Sequence, residues 1–259
     1  MFYLKKNKKR MLALCLSAAL SVGSLTVYAA TEQWNDASLT PAFTTKTAVS
    51  EHTDWADWKA NWDKIKTNYE QVALIPGSDF SKLNFGWYSK EKANEAVVRI
   101  ADNKDMKNAK EFKGTCTEGT VINGVQYYSN KVTADGFEPN TTYYYQVKLN
   151  GKWQQAHEYK TGDPHNFSFM YVGDPQIGAS KGQVPNESAV EQSEDVAARN
   201  DAYNWNKTLN SALAQHPEIN FLVSPGDQIN EPAGNNAEKH LLQEYEYSGY
   251  LSATAFRNL

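Results

Sequence analysis

The clearest hydrophobic pattern lies in the second half of the chain, where two apolar runs each lead into a Gly-Asp turn. In the first run, over 166–172, Phe167, Phe169 and Tyr171 alternate with Ser168, Met170 and Val172, which predicts a strand covered on both faces. The second run, over 221–225, predicts another strand. The interval 190–216 predicts a helix long enough for the crossover that parallel strands require. A last helix is predicted over 238–256.

Both strands deliver an aspartate at their carboxyl ends. Asp174 follows Gly173 and Asp227 follows Gly226, with Gln176 two residues after the first aspartate. Ligands of open α/β sheets bind at this edge, and carboxylate and amide oxygens bind hard metals. A single Gly-Asp-Pro turn is just as typical of an ordinary loop. The second copy of the pattern favours a metal site that both strand ends share.

The middle of the chain alternates apolar and polar residues over short runs separated by turn signals. Among these signals are Pro76-Gly77 and the hairpin dipeptide Asn150-Gly151. The pattern predicts a small β-sandwich. Its predicted strands are 71–75, 82–88, 96–101, 126–132, 142–149 and 153–159.

A tryptophan stripe precedes the predicted sandwich. Apolar side chains recur there at intervals of three and four residues, which predicts one face of a helix; they are Trp55, Trp58, Trp62, Ile65 and Tyr69. Such a stripe could bind sugar rings, but packing against a neighbouring domain is the commoner cause and is the interpretation that we favour. The polar stretch 31–50 before it is predicted to be loosely ordered.

The first 29 residues have the pattern of a secretory signal peptide. A basic head is followed by an apolar run over 11–27 and by a small-residue cleavage pattern ending at Ala29. Cys15 is interpreted as part of the apolar core and not as a lipid anchor. No later run approaches the roughly 20 apolar residues needed to span a bilayer, so we expect a secreted or extracytoplasmic protein without a transmembrane anchor after signal cleavage.

Charge and cysteine content narrow the possible partners. The formal net charge is −4, and removal of the basic head makes it more negative. A nucleic-acid-binding surface is therefore not expected, since such surfaces need a basic patch. Cys116 is the one cysteine after the predicted cleavage point, so an internal disulfide is not expected.

The two strand-end motifs carry a family resemblance. GDPQ at 173–176 and GDQIN at 226–230, each after its strand, resemble the calcineurin-like metallophosphoesterase superfamily, and more closely its purple acid phosphatase-like branch. VALIPGS at 72–78 and the segment 137–143, which ends at Tyr143, are similar to the amino-terminal fibronectin type III-like domain of that branch. There a tyrosine hydroxyl bonds back to nearby backbone, which places Tyr143, Tyr145 and Val147 inward.

The resemblance implies the fold class and the domain boundaries. We expect a multidomain chain in which an all-β fibronectin type III-like sandwich is followed by the first part of an α/β metallophosphoesterase domain, an α/β/β/α sandwich. The expected segments are the signal peptide at 1–29, a polar segment with the amphipathic helix at 30–70, the fibronectin type III-like domain at 71–163 and the incomplete metallophosphoesterase domain at 164–259.

The resemblance also implies a site with two metal ions, divalent or of mixed valence. Asp174 corresponds to a ligand of one metal, and Asp227 to the carboxylate that bridges both. Gln176 stands where the family has histidine or glycine, and its carbonyl oxygen is a weaker ligand. Asn230 replaces the tyrosine that binds ferric iron in purple acid phosphatases and is a further candidate ligand. Without that tyrosine, iron, manganese and zinc are all candidates.

The remaining family motifs, Gly-Asn-His and two later histidine motifs, do not appear before Leu259. We therefore expect the front portion of a longer protein, inactive by itself, with the general acid histidine beyond Leu259. The implied function is a secreted acid phosphatase-like hydrolase that cleaves small phosphate esters with metal-activated hydroxide. The alternative is a non-catalytic secreted module whose sandwich and tryptophan stripe bind a surface glycan or a protein. Monoester or diester preference and the oligomeric state stay open.

Overall fold

The computed structural model describes residues 55–184, 191–231 and 236–259. The predicted signal peptide and the polar stretch 31–50 lie outside the described residues. Within the described ranges, no helix is long and apolar enough to cross a membrane.

The tryptophan stripe forms helix α1, Trp55–Lys66. Its four large apolar side chains are buried: Trp55, Trp58, Trp62 and Ile65. Two of the indoles also donate hydrogen bonds to a neighbouring helix, from Trp58 Nε1 to the Arg199 carbonyl at 3.0 Å and from Trp62 Nε1 to Asp195 Oδ1 at 2.9 Å. The predicted packing role is thus confirmed. Tyr69 lies beyond the end of α1 and packs edge-on against Tyr127 instead.

Eight strands follow, and they form one connected sheet. Their order is β1-β2-β5-β4-β3-β6-β7, and β8 pairs with β6. The bounds are β1 Ala73–Pro76, β2 Lys82–Ser89, β3 Ala96–Ala101, β4 Lys110–Ile122, β5 Val125–Asp135, β6 Thr142–Leu149, β7 Lys152–Trp153 and β8 His157–Lys160. The sheet curls around a core that includes Phe85, Val98, Val132, Tyr145 and Val147.

Strand β4 joins the two halves of this sheet. Its first residues, up to Gly114, pair with β3, and its later residues, from Thr115, pair with β5. A Cβ at Gly114 would lie 2.0 Å from the Lys131 carbonyl oxygen, so no side chain fits where the strand changes partner. The hydrogen-bonded ladder therefore runs continuously around the core.

The predicted strands differ from the observed ones in two places. We did not predict β4, because its sequence contains two glycines and mostly polar residues. The predicted strand 153–159 is wrong as a single element, because the chain leaves β7 after Trp153 and resumes pairing at His157 as β8.

The second part of the chain contains a parallel strand pair and two helices. Strand β9 covers Ser168–Tyr171 and β10 covers Ile219–Val223, with Met170 opposite Leu222. Helix α2, Glu194–Gln215, connects them, and the side chain of its N-cap Ser193 accepts from the Val196 amide. Helix α3, Ala237–Leu251, and a 3₁₀ helix, Thr254–Arg257, follow. The predicted parallel pair with a helical crossover is confirmed, whereas the predicted helix over 238–256 is divided into two elements.

Only one face of this strand pair is covered by the described residues. Met170 and Leu222 pack against the core that contains α1 and α2. On the opposite face Phe169 is 50% exposed and Tyr171 is 66% exposed. The prediction that both faces are covered is therefore wrong for the residues that the structure describes, since these two rings stay half or more exposed there.

The sheet and the helical part are joined by hydrogen bonds that are partly or fully buried. The buried Tyr145 hydroxyl donates to the Arg257 carbonyl at 2.8 Å. Gln71 Nε2 donates to the Ser248 carbonyl at 2.9 Å, and Ser248 Oγ donates in turn to the Ile65 carbonyl at 2.8 Å. These contacts link β6 to the 3₁₀ helix, and α3 both to α1 and to the segment before β1.

The predicted tyrosine corner is present. The Glu138 amide donates to the Tyr143 hydroxyl at 2.9 Å, and the ring packs edge-on against Phe137 at 4.9 Å. Tyr145 and Val147 are buried, as predicted, and Tyr143 is partly buried against the same core.

We expect Tyr143→Phe to lower the free energy of unfolding by about 0.5–1.5 kcal/mol, because it leaves the Glu138 amide without its partner while the ring packing is kept. Urea unfolding of the whole chain measures this loss. Tyr128→Phe, at a partly exposed ring on β5, is the control and should change the midpoint little. Equal midpoints for Tyr143→Phe and the parent would show that the corner bond contributes nothing to stability.

Candidate metal site at two strand ends

The two Gly-Asp turns lie side by side. Beyond the strands, the Gln176 amide donates to the Asp227 carbonyl at 2.9 Å and the Ile177 amide to the Gln228 carbonyl at 3.1 Å. The Asn230 amide then donates back to the Ile177 carbonyl at 3.0 Å. We call residues 173–180 the first loop and residues 226–231 the second loop. The parallel pairing of β9 and β10 thus continues through both loops and brings the two predicted motifs together.

Three of the predicted ligands have a left-handed backbone. The φ angles are 50° at Asp174, 37° at Gln176 and 50° at Asp227. A left-handed conformation costs a residue with a Cβ roughly 1–3 kcal/mol and persists where the surrounding structure enforces it, which is often at functional sites. All three residues are exposed, as is Asn230. Their side chains are therefore accessible to a ligand from solvent.

Two carboxylates from the helices contact these loops, Glu246 buried and Asp201 half-buried, and sequence reasoning missed both. Asp201 of α2 accepts from the amides of Gly178 and Ser180 at 3.0 and 3.1 Å. Glu246 of α3 accepts from the amides of Asn230 and Glu231 at 3.0 and 2.7 Å. The one available signal was an acidic residue within the apolar face of each predicted helix.

Burial dominates the electrostatics of both carboxylates. It raises the pKa of Asp201 above its ordinary value, against the opposing effect of its hydrogen bonds. Burial also raises the pKa of Glu246 to about 7, and the nearby charges of Glu231 and Asp201 act in the same direction. Both carboxylates accept hydrogen bonds from loop amides, so they act on the loop backbone.

A cleft of about 490 Å³ lies beside the first loop. Its polar lining is contributed by the loop on one side and by α2 on the other; it includes Asp174, Gln176, Ser180, Asp201, Asn204 and Thr208. Such a concave polar surface next to an exposed carboxylate provides room for a small polar molecule.

The donors at the two loops are oxygens only: the carboxylates of Asp174 and Asp227 and the side-chain carbonyls of Gln176 and Asn230. Oxygen donors suit magnesium, manganese and similar hard divalent ions. Within residues 55–184, 191–231 and 236–259, no three His, Cys, Asp or Glu side chains are grouped closely enough to hold a metal ion. The described residues therefore fit one part of a metal site and do not fit a complete two-metal centre.

One comparison matches part of the chain to a known protein family. Residues 69–161 match the family model described as the purple acid phosphatase N-terminal domain. The predicted resemblance of this part of the chain to the amino-terminal domain of purple acid phosphatases is thereby confirmed. A search of curated protein sequences finds no significant match to the chain.

Two solved structures are similar to the chain. One is purple acid phosphatase PPD1 from yellow lupin (Lupinus luteus) seeds, with 14% sequence identity and a TM-score of 0.43, covering 71% of this chain and 33% of that one. The other is PhoD, with 17% identity and a TM-score of 0.33, covering 72% of this chain and 46% of that one. The chain thus spans less than half the length of either structure.

Substitution at Gly178 tests the close approach between the first loop and α3. A Cβ at Gly178 would lie 2.0 Å from Glu246 Oε1, and its φ is +104°. We expect Gly178→Ala to lower the free energy of unfolding by about 2 kcal/mol or more, because strain and a clash with a buried carboxylate add together.

Gly182→Ala is the matched control for that experiment. Gly182 also has a positive φ, of +76°, but a Cβ there meets no atom within 4 Å. It should therefore cost only about 1 kcal/mol, which is the backbone term alone. Urea unfolding of both variants measures the difference, and equal losses would contradict the close approach.

Proposed function

We propose, from the match of residues 69–161 to the purple acid phosphatase N-terminal domain family, that this protein is a metal-dependent phosphoesterase. One structural observation carries the proposal: the two Gly-Asp loops are hydrogen-bonded to each other, with the Gln176 amide 2.9 Å from the Asp227 carbonyl oxygen. Two exposed aspartates, Asp174 and Asp227, are thereby held at the same edge of a parallel strand pair, where ligands of such sheets bind.

Asp174 and Asp227 supply the negative charge that a divalent metal needs, and Gln176 and Asn230 are the neutral oxygen donors beside them. A metal held by these residues would supply positive charge to neutralise phosphate oxygens and would lower the pKa of a water. The loops hold their side chains toward solvent, so that a substrate phosphate can approach. The polar cleft beside Asp174 accommodates the rest of a small phosphate ester. Iron, manganese and zinc remain the candidate metals.

The finer fold assignment is part of the same proposal. We assign residues 71–163 to a fibronectin type III-like sandwich, which the tyrosine corner supports, and residues 164–259 to part of an α/β metallophosphoesterase domain, which the parallel strand pair and its crossover helix support. The sandwich serves as a scaffold for the second domain. The tryptophan stripe is buried, and this removes the observation on which a glycan-binding module rested.

We further propose secretion with cleavage after Ala29. The mature protein recovered from the medium or the periplasm should begin at Ala30, because the basic head, the apolar run and the small-residue pattern agree in position. Amino-terminal peptide mapping by mass spectrometry measures this. A mature form that retains Met1 would contradict the signal-peptide assignment.

Substitution of the two aspartates tests the metal assignment. In the protein as its gene encodes it, Asp227→Asn should lower hydrolysis of p-nitrophenyl phosphate by at least the 10–100-fold that is typical of residues supporting a metal site, because the amide removes a charged ligand. Asp174→Asn should have a smaller effect, since the family resemblance assigns it to one metal and Asp227 to two. Activity is measured with added manganese, iron or zinc.

Asp135→Asn provides the matched control, because Asp135 is an exposed aspartate at the end of β5, paired with Lys110. It should retain the parent activity. Chelation with EDTA should abolish the parent activity and added metal should restore it. Parent-like activity in Asp227→Asn, or activity that resists chelation, would refute the proposed metal site.

A further inference from the structure

The carboxylate of Glu246 contacts both loops at once. Its side chain is carried by α3 and the residue is only 2% exposed. On one side, Oε2 accepts from the amides of Asn230 and Glu231 in the second loop, at 3.0 and 2.7 Å. On the other side, Oε1 lies so close to Gly178 of the first loop that a Cβ there would be 2.0 Å away. A single buried group thus spans the gap between the loops.

Asp201 supports the first loop from the other helix. Its Oδ2 accepts from Gly178 and Ser180 at 3.0 and 3.1 Å, so Gly178 is fixed by Asp201 through its amide and by Glu246 through contact. Helices α2 and α3 pack against each other, with Trp205 of α2 stacked on Tyr250 of α3 at 5.4 Å. The two loops therefore both contact the same packed pair of helices.

A contribution to the overall stability of the fold does not explain well why positions 246 and 201 carry carboxylates. Burying a carboxylate is costly, and well-packed apolar residues of similar volume often stabilise a protein as much or more. A carboxylate can instead accept several hydrogen bonds in a fixed direction. The amides that Glu246 and Asp201 accept from belong to irregular loop backbone, where buried amides need an acceptor. The Asn230 amide also donates to the Ile177 carbonyl, whereas the carboxylates are the acceptors that the structure shows for the amides of Gly178, Ser180 and Glu231. These groups therefore specify where the loops lie.

We propose that Glu246 is a positioning residue of the candidate metal site, with Asp201 as its counterpart on α2: it fixes the spacing between the loop of Asp174 and the loop of Asp227. The connection to metal binding rests on the function proposed above. The spacing of the loops does not, and it can be measured on the metal-free protein.

Hydrogen–deuterium exchange of the 259-residue chain tests whether Glu246 holds both loops in place, because it measures the protection of their amides. We follow peptides covering the first loop, 173–180, and the second loop, 226–231. Glu246→Leu should speed exchange by roughly tenfold or more in both loops, because the second loop loses its acceptor and the first loop loses its contact. Glu246→Gln keeps one acceptor oxygen and should restore most of the protection.

Two further variants make the test decisive. Glu246→Asp keeps the charge but withdraws the carboxylate by one methylene, so it should also speed exchange in both loops even if Glu246→Leu fails to fold. Glu244→Leu is the control: this carboxylate lies on the same helix but faces His240, at 3.3 Å, and its loss should leave both loops protected. Acceleration confined to the second loop, or equal exchange in the Glu246→Asp variant and the parent, would overturn the inference.

Activity then distinguishes the inference from the proposed function. If the protein as its gene encodes it hydrolyses p-nitrophenyl phosphate with added manganese, Glu246→Asp should raise the manganese concentration for half-activation by roughly 10–100-fold, as outer-shell substitutions do. An unchanged half-activation concentration, despite faster exchange in both loops, would overturn the role at the metal site. If the parent is inactive with every metal, the proposed function fails, while the exchange data still decide whether Glu246 spaces the loops.

Discussion

The candidate site depends on parallel backbone pairing that continues beyond the ends of two strands. The last strand contact runs from the Val172 amide to the Val223 carbonyl at 3.0 Å, and the pairing resumes at the Gln176 amide and the Asp227 carbonyl. After its strand, each of the two segments makes a left-handed turn at its aspartate, Asp174 or Asp227. Because main-chain bonds flank both turns, the two aspartates lie at one edge irrespective of the identity of their side chains.

The helices contact the two paired loops and support them from beneath. The buried stripe of α1 fixes α2 through Trp58 and Trp62, and α2 and α3 in turn place Asp201 and Glu246 beneath the loops. The curled sheet reaches the same assembly through Tyr145, whose hydroxyl bonds to the Arg257 carbonyl. The curled sheet is therefore connected, through the 3₁₀ helix that follows α3, to the helices that contact the loops.

The outer face of the strand pair has a different character. Phe169 and Phe221 stack with their ring planes 6° apart and centroids 5.4 Å apart, and Tyr171 continues this aromatic surface toward the first loop. The alternation of residues in the sequence correctly predicts that this face is apolar. It could not give what covers the face, because coverage is a property of the elements packed against a strand and not of the strand itself.

The sequence by itself determined the elements with strong periodicity and the motifs that end them. The stripe of α1, the parallel strands, the crossover helix, the corner of Tyr143 and the positions of Asp174 and Asp227 all follow from local patterns, because apolar spacing and turn residues act over a few neighbours. Strand β4 lacked such a pattern, since its polar residues are held by strands on both sides. Only the tertiary structure decided that Glu246 and Asp201 reach the loops. Their partners are backbone amides 15 to 23 residues away along the chain, and no spacing rule in the sequence connects a buried carboxylate with amides at that distance.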